Sequence, residues 1–235
     1  MKTNTILTGQ IAHLNPNQGF GFIKSEKEEN LFFTLKNALS KNLSLGSYVT
    51  FIVIPSKRHE GKNEAVNVTL AFLSKDNHLV VNRPASHLHH SIDDNLAAII
   101  INITCENRPF FSEQLDYEYS VGVSTCLSVD ESDEIIYAVR ENRKGHTKFV
   151  KNRIPEPTNS ITVILKKTGD FYTIITAFVG KAAETEPWDE RVTNSSLEFW
   201  SSHALIWGSE RIEPNSEVKD CPWTKGVLKE NLVEC

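Results

Sequence analysis

The chain has 235 residues, 40% of them hydrophobic, and a formal net charge of -5, which leaves room for one large or two small domains. No apolar run approaches the roughly 20 residues needed to span a bilayer, and the N-terminus lacks an apolar signal core. Cys105, Cys126, Cys221 and Cys235 include no Cys-x-x-Cys pair. A membrane-spanning chain and a disulfide-stapled secreted scaffold are therefore disfavoured, and the sequence reads as a soluble cytoplasmic protein with free thiols.

The first elements are short aromatic strands. Gln18-Gly19-Phe20-Gly21-Phe22-Ile23 is followed by Leu31-Phe32-Phe33-Thr34-Leu35. In an extended chain residues two apart share a face, so Phe20 and Phe22 stand side by side and Phe32 can join them from an antiparallel neighbour. Such rings either fill half of a small barrel core or form a face on which bases stack. Gly19 and Gly21, lying between the rings, would let a nucleic-acid backbone approach closely.

Gly9-Gln10-Ile11-Ala12-His13-Leu14-Asn15 precedes this pair, and 45–53 and 65–70 supply further alternating apolar blocks. The five blocks in this order, over residues 5–73, resemble the cold-shock domain. The resemblance implies an all-β, five-stranded OB barrel that binds single-stranded RNA or DNA. It carries the binding role to Phe20, Phe22 and Phe32, with His13 and Lys24 beside them. The family usually has Trp near His13, Lys at Gln18 and His at Thr34, so these departures imply weaker or retuned binding.

Polar and loop-forming residues at 74–86 suggest a linker between domain 1–73 and a second domain over 87–235. Strands are expected at 119–129, 134–139, 160–166 and 171–178, with Gly169-Asp170 as a hairpin turn. The β-branched run at 98–104 is a strand or a buried helix end, and 197–207 is a helix or a strand. Charge is uneven: 1–73 carries eight Lys/Arg against five Asp/Glu, 140–153 six against one, and 184–235 five against eleven. A basic centre suits phosphates, although charge runs are more often solvated faces.

Three constellations could carry chemistry. His87-Leu88-His89-His90 with Asp93 and Asp94 invites a metal reading, but the set lacks ligand spacing; a polar linker is the simpler reading and no metal or cofactor is expected. Arg140 through Lys148 places guanidinium and ammonium groups beside His146, which suits phosphodiester cleavage; alone it would be a solvated hairpin. Glu186-Pro187-Trp188-Asp189 reads as a turn, with Trp188 capping the core and Asp189 starting a helix.

The order of blocks from Tyr119-Ser120-Val121-Gly122 through 133–140, 157–165, 172–178, 186–189 and 199–205 resembles the barnase/EndoU/colicin/RelE superfamily of ribonuclease toxins. That resemblance implies an α+β domain with a small antiparallel sheet and metal-independent RNA cleavage through a 2′,3′-cyclic phosphate. By chemistry the residues then sort into His203 as general acid or base and His146 as its partner. Arg140 and Lys148 would hold the scissile phosphate, and Thr176 and Ser202 would donate to its oxygens. For His203 alone, beside Trp200, Leu205 and Trp207, the simpler reading is a core histidine satisfied by a backbone carbonyl.

The sequence thus points to a two-domain RNA-directed protein, with a barrel that captures single-stranded RNA and a second domain that cleaves it. Such a protein would act as a toxin or phage-defence effector, with an antitoxin or inhibitor as partner. The rival is a non-enzymatic RNA-binding regulator whose second domain is a partner surface, favoured by the acidic C-terminal portion. A third reading makes the acidic tail an internal mimic covering the basic segment.

Overall fold

The computed structural model describes residues 5–26, 30–57, 59–88, 92, 95–208 and 212–223, with backbone only at 83–88. Two compact units result: Met1–Leu115 with Val163–Phe178, and Asp116–Thr162 with Val179–Cys235. The boundary expected at 74–86 falls inside the first of them.

In the first unit five strands close into a barrel: β1 (Ile6–Asn15), β2 (Phe20–Lys24), β3 (Leu31–Thr34), β4 (Tyr48–Pro55) and β5 (Asn63–Leu73). Their order is β3-β2-β1-β4-β5, and β3 pairs in parallel with β5 through Phe32↔Glu64 and Phe33↔Ala65, which closes the ring. This closed five-stranded barrel fits an OB fold. Period-2 alternation sends Ile11, Ile23, Leu31, Phe33, Val49, Phe51 and Ala65 into one core, and Val68 joins them past the irregular Asn67, φ +55°.

The same sheet runs on beyond the barrel. The second half of β5 pairs antiparallel with β6 (Leu79–Leu88) through Ala71↔Val81 and Leu73↔Leu79. Strands β14 (Phe171–Val179), β13 (Ser160–Thr168) and β7 (Phe110–Asp116) follow in the order β6-β14-β13-β7. The 74–86 linker is thereby corrected. Val80 and Val81 are fully buried, and β6 pairs in parallel with β14, Ile174↔Asn82 giving way to Thr176↔His87. Residues 83–86 lie in the wide bulge between those two pairs, which is why that stretch looks like a loop in sequence. The larger parts of β13 and β14, within Val163–Phe178, belong here and not to the second unit as expected, because β14 finds its partner in β6. Their hairpin turns at Gly169, φ +64°.

The run at 98–104 resolves to the helix end. Helix α1 (Leu96–Ile100) buries Leu96, Ile99 and Ile100 at i, i+3 and i+4. At its foot the carboxylate of Asp76 accepts the amides of Cys105 (3.0 and 3.1 Å) and Glu106 (2.9 Å) and the hydroxyl of Ser74 (2.7 Å).

The second unit carries a four-stranded sheet of order β10-β11-β15-β9, made of β9 (Cys126–Ser128), β10 (Ile135–Val139), β11 (His146–Val150) and β15 (His203–Ile206). The expected antiparallel sheet is in fact mixed, since β11 and β15 run parallel through Phe149↔Leu205 and Val150↔Ile206. The strand expected over 119–129 splits into β8 (Gly122–Ser124) and β9, because β8 pairs with β12 (Glu156–Thr158) and β9 with β15. Residues 197–207 contain both states that their pattern allows: helix α2 (Asn194–Ser202) runs directly into β15. The cap of α2 is Thr193, in a capping box with Ser196. Asp189, expected at the helix start, instead pairs with Arg191. Tyr137, Trp200 and Trp223 pack into one cluster, and Ile136, Ala138 and Phe149 into another.

Candidate nucleic-acid interface

On the barrel Phe20, Phe22 and Phe32 are half-buried and alternate with the inward Gly21, Ile23, Leu31 and Phe33. The antiparallel register Phe22↔Phe32 and Phe20↔Thr34 sets them on one outer face. Their centroids form a close triangle: Phe20–Phe32 5.9 Å at 30°, Phe20–Phe22 5.9 Å at 84°, and Phe22–Phe32 5.8 Å at 68°. The exposed ring of His13 lies 6.3 Å from Phe20 and 6.1 Å from Phe22. Lys24 follows Phe22 by two residues and is exposed, so it extends the same face. All five residues expected to bind are therefore brought together.

Gly21 serves a different purpose from the one expected. It faces inward, where a Cβ would stand 2.5 Å from the Phe33 ring and 2.6 Å from the His13 carbonyl. Its missing side chain admits Phe33 to the core, and no ligand would reach it. Gly19, φ +72° with open space around it, makes the β1–β2 turn, where its amide bonds to Asn15 O. Gln18 is tied into that turn through the side chain of Asn15, at 3.0 and 3.1 Å.

Sequence reasoning missed a set of cations nearby. The tip of the β4–β5 hairpin presents exposed Lys57 and Lys62, with exposed Glu60 between them. The tip ends next to Asn63-Glu64, and Glu64 is the residue paired with Phe32. The signal was the β3–β5 closure, a contact across 32 residues that no local pattern announces.

The residues expected to cleave RNA have other employment. Arg140 donates to Thr147 Oγ1 (3.1 Å) and Glu186 (3.0 Å), and Thr147 also donates to Glu186, which is 7% exposed. Lys148 is buried, and its Nζ donates to Trp200 O (3.0 Å) and Ser201 O (2.9 Å), the carbonyls at the end of α2. A cation there neutralises the negative end of the helix. His146 Nε2 lies 3.1 Å from Ser216 O. His203 lies flat on Phe199, at 4.3 Å and 9°. Its Nδ1 stands 3.1 Å from Phe199 O and 3.0 Å from Ser202 Oγ, and its Nε2 3.4 Å from Ser128 Oγ. Each histidine is thus anchored to a different neighbour, and Arg140 and Lys148 are committed within the second unit. Thr176 belongs to the first unit, on β14.

Of the metal reading, the side chain of His87 and all of His89, His90, Asp93 and Asp94 lie outside the described residues. Among the described residues no group of three His, Cys, Asp or Glu side chains is placed to hold a metal ion. No described helix is long and apolar enough to cross a membrane.

The acidic tail does meet the basic segment. Glu217 pairs with Lys151 at 2.9 Å, Val218 bridges Tyr137, and Trp223 donates to His146 O at 3.1 Å. Trp223 is 9% exposed, so this stretch is a built part of the second unit. Gly145 is pressed against the face of Trp188, which leaves no room there for a Cβ.

No family model matches the chain, and no curated protein matches it. Among solved structures it is similar to one titled "drosophila Unr CSD456", at 14% identity and a TM-score of 0.27, over 77% of this chain. The match spans 64% of that structure's length.

Proposed function

We propose that the protein binds single-stranded RNA or DNA as a cold-shock-type module, with Phe20, Phe22 and Phe32 stacking bases and His13 and Lys24 flanking them. The observation that carries this reading is the triangle of three half-exposed rings within 6 Å of one another on the outside of a closed barrel. A buried-core role for these rings would place them inside with Phe33. With Phe20 and Phe32 30° from parallel and Phe22 edge-on to both, the face offers room for about two or three bases. Lys24, Lys57 and Lys62 are exposed cations suited to the phosphates. The test is fluorescence anisotropy with labelled single-stranded and duplex oligonucleotides, comparing the native chain with a Phe20→Ala/Phe32→Ala double variant. Equal affinity of the two proteins, or duplex bound as tightly as single strand, would overturn it.

A second reading keeps RNA cleavage in the second unit, and one observation favours it. The His203 imidazole is half-buried, oriented by three polar neighbours, and flanked by the Ser202 hydroxyl. Metal-independent cleavage by a toxin held in check by an inhibitor would need a second acid or base, and His146 is turned to Ser216. Incubation with total RNA in excess chelator separates the readings. Cyclic-phosphate ends made by the native chain and not by His203→Ala would establish the ribonuclease; intact RNA that still binds would leave the non-enzymatic binder.

A further inference from the structure

The register of β1 contains a displacement with a chemical consequence. Against β2, Ile11 pairs with Ile23, but the next pair is His13↔Phe22. One extra residue sits on β1 at this point, a β-bulge. Strict alternation from the buried Ile11 would turn Ala12 outward and His13 into the core. The bulge instead turns His13 out beside Phe20 and Phe22, and both Ala12 and His13 are exposed.

We infer that His13 makes the binding of single-stranded nucleic acid by this face depend on pH. The neutral imidazole is a fourth flat surface, and the imidazolium adds a positive charge beside the stacked bases and their phosphates. This inference rests on the binding reading above.

The surroundings leave that charge free for a ligand. The ring touches Phe20 and Phe22 and has no hydrogen-bond partner among the described residues. Around it β2 presents Lys24 as its one charged group, with Glu26 just beyond the strand end. Strand β3 presents Phe32 and Thr34, and beyond it β5 carries the half-buried Glu64, paired with Phe32, whose carboxylate accepts from Ser56 Oγ at 3.2 Å. The turn at 16–19, the loop at 43–47 and the β4 residues paired with β1 carry no charge. Histidine is the side chain whose ordinary titration falls between about pH 5 and 8. A phosphate close to the ring favours the charged form, so binding takes up a proton and affinity rises as pH falls.

The test uses the full chain and a short oligothymidylate, whose bases do not titrate in this range. Between pH 8 and 5.5 the affinity should rise about twofold to fivefold at 0.1 M salt, the scale of an exposed ion pair. The slope of log affinity against log salt should steepen by about 0.7, one more cation on a single strand. His13→Phe, which keeps a flat ring without the charge, should bind with one affinity and one slope at both pH values. His59→Gln should behave as the native chain does. Native binding independent of pH, or a pH response retained by His13→Phe, or one lost in His59→Gln instead, would overturn the inference while the binding reading stands. No binding at any pH, by the native chain and Phe20→Ala alike, would remove both.

Discussion

Phe20 and Phe32 lie across the β2–β3 pair with centroids 5.9 Å apart and ring planes 30° from parallel. Two rings so placed are stacked near parallel, while Phe22 stands edge-on to both. Each phenylalanine replaced by alanine should weaken binding of a single-stranded oligonucleotide by about 1–3 kcal/mol, the scale of one base stacked on one ring. Since the rings touch, the double variant should lose less than the sum of the two single losses. Circular dichroism should stay native, because neither ring belongs to the barrel core.

Gly21 and Gly19 should part company in a stability measurement. At Gly21 an added methyl meets the Phe33 ring and the His13 carbonyl, the latter a backbone atom that cannot turn aside. Gly21→Ala should cost about 1–3 kcal/mol, in the range of core overpacking. At Gly19 space is open and the cost is conformational, on the order of 1 kcal/mol for a left-handed alanine. Thermal unfolding of the two variants checks the order; equal losses would contradict it.

What the sequence disclosed follows from how local each feature is. The Phe20/Phe22/Phe32 face was legible because period-2 alternation and a short hairpin place those rings without help from the rest of the chain. His13 was legible as a neighbour only through the order of blocks, since its outward turn depends on a one-residue bulge. Strand β6 was hidden because its parallel partner β14 lies some ninety residues on, and Pro84 with Ser86 sits in its bulge. Arg140, Lys148 and His146 looked available for phosphate because a sequence shows charge and not partners. Their partners, Glu186, the end of α2 and Ser216, are all at least 46 residues away.

Lys148 illustrates how a cation that reads as a ligand group can be a helix terminator. Its ammonium satisfies the Trp200 and Ser201 carbonyls from within the second unit. Lys148→Met keeps the apolar stem and removes the donors, so about 1.5–3 kcal/mol should be lost, as for hydrogen bonds to a charged group. Oligonucleotide affinity should be unchanged at temperatures where the variant is folded. A drop in affinity with stability unaltered would return Lys148 to the role of a phosphate contact.

Asp76 should make the first unit acid-sensitive. Burial alone would raise its pKa, but the Glu106 amide, the Ser74 hydroxyl and the Cys105 amide all donate to the ionised form, and together they hold it down to about 2 from 3.8. A carboxylate lowered in the folded state contributes stability that is fully present above its unfolded value and is lost as pH falls through the folded one. The contribution, on the order of 1–2 kcal/mol after allowance for partial exposure, should therefore hold above about pH 4.5 and fade between pH 4 and 2. Asp76→Asn presents one acceptor oxygen and an unwanted donor to amides that need acceptors, so it should be less stable at pH 7 and should lack that part of the acid transition. Denaturant unfolding of both proteins at pH 7, 4 and 2.5 measures the gap between them. A gap that does not narrow as pH falls would mean that the Asp76 charge does not hold the 104–107 turn.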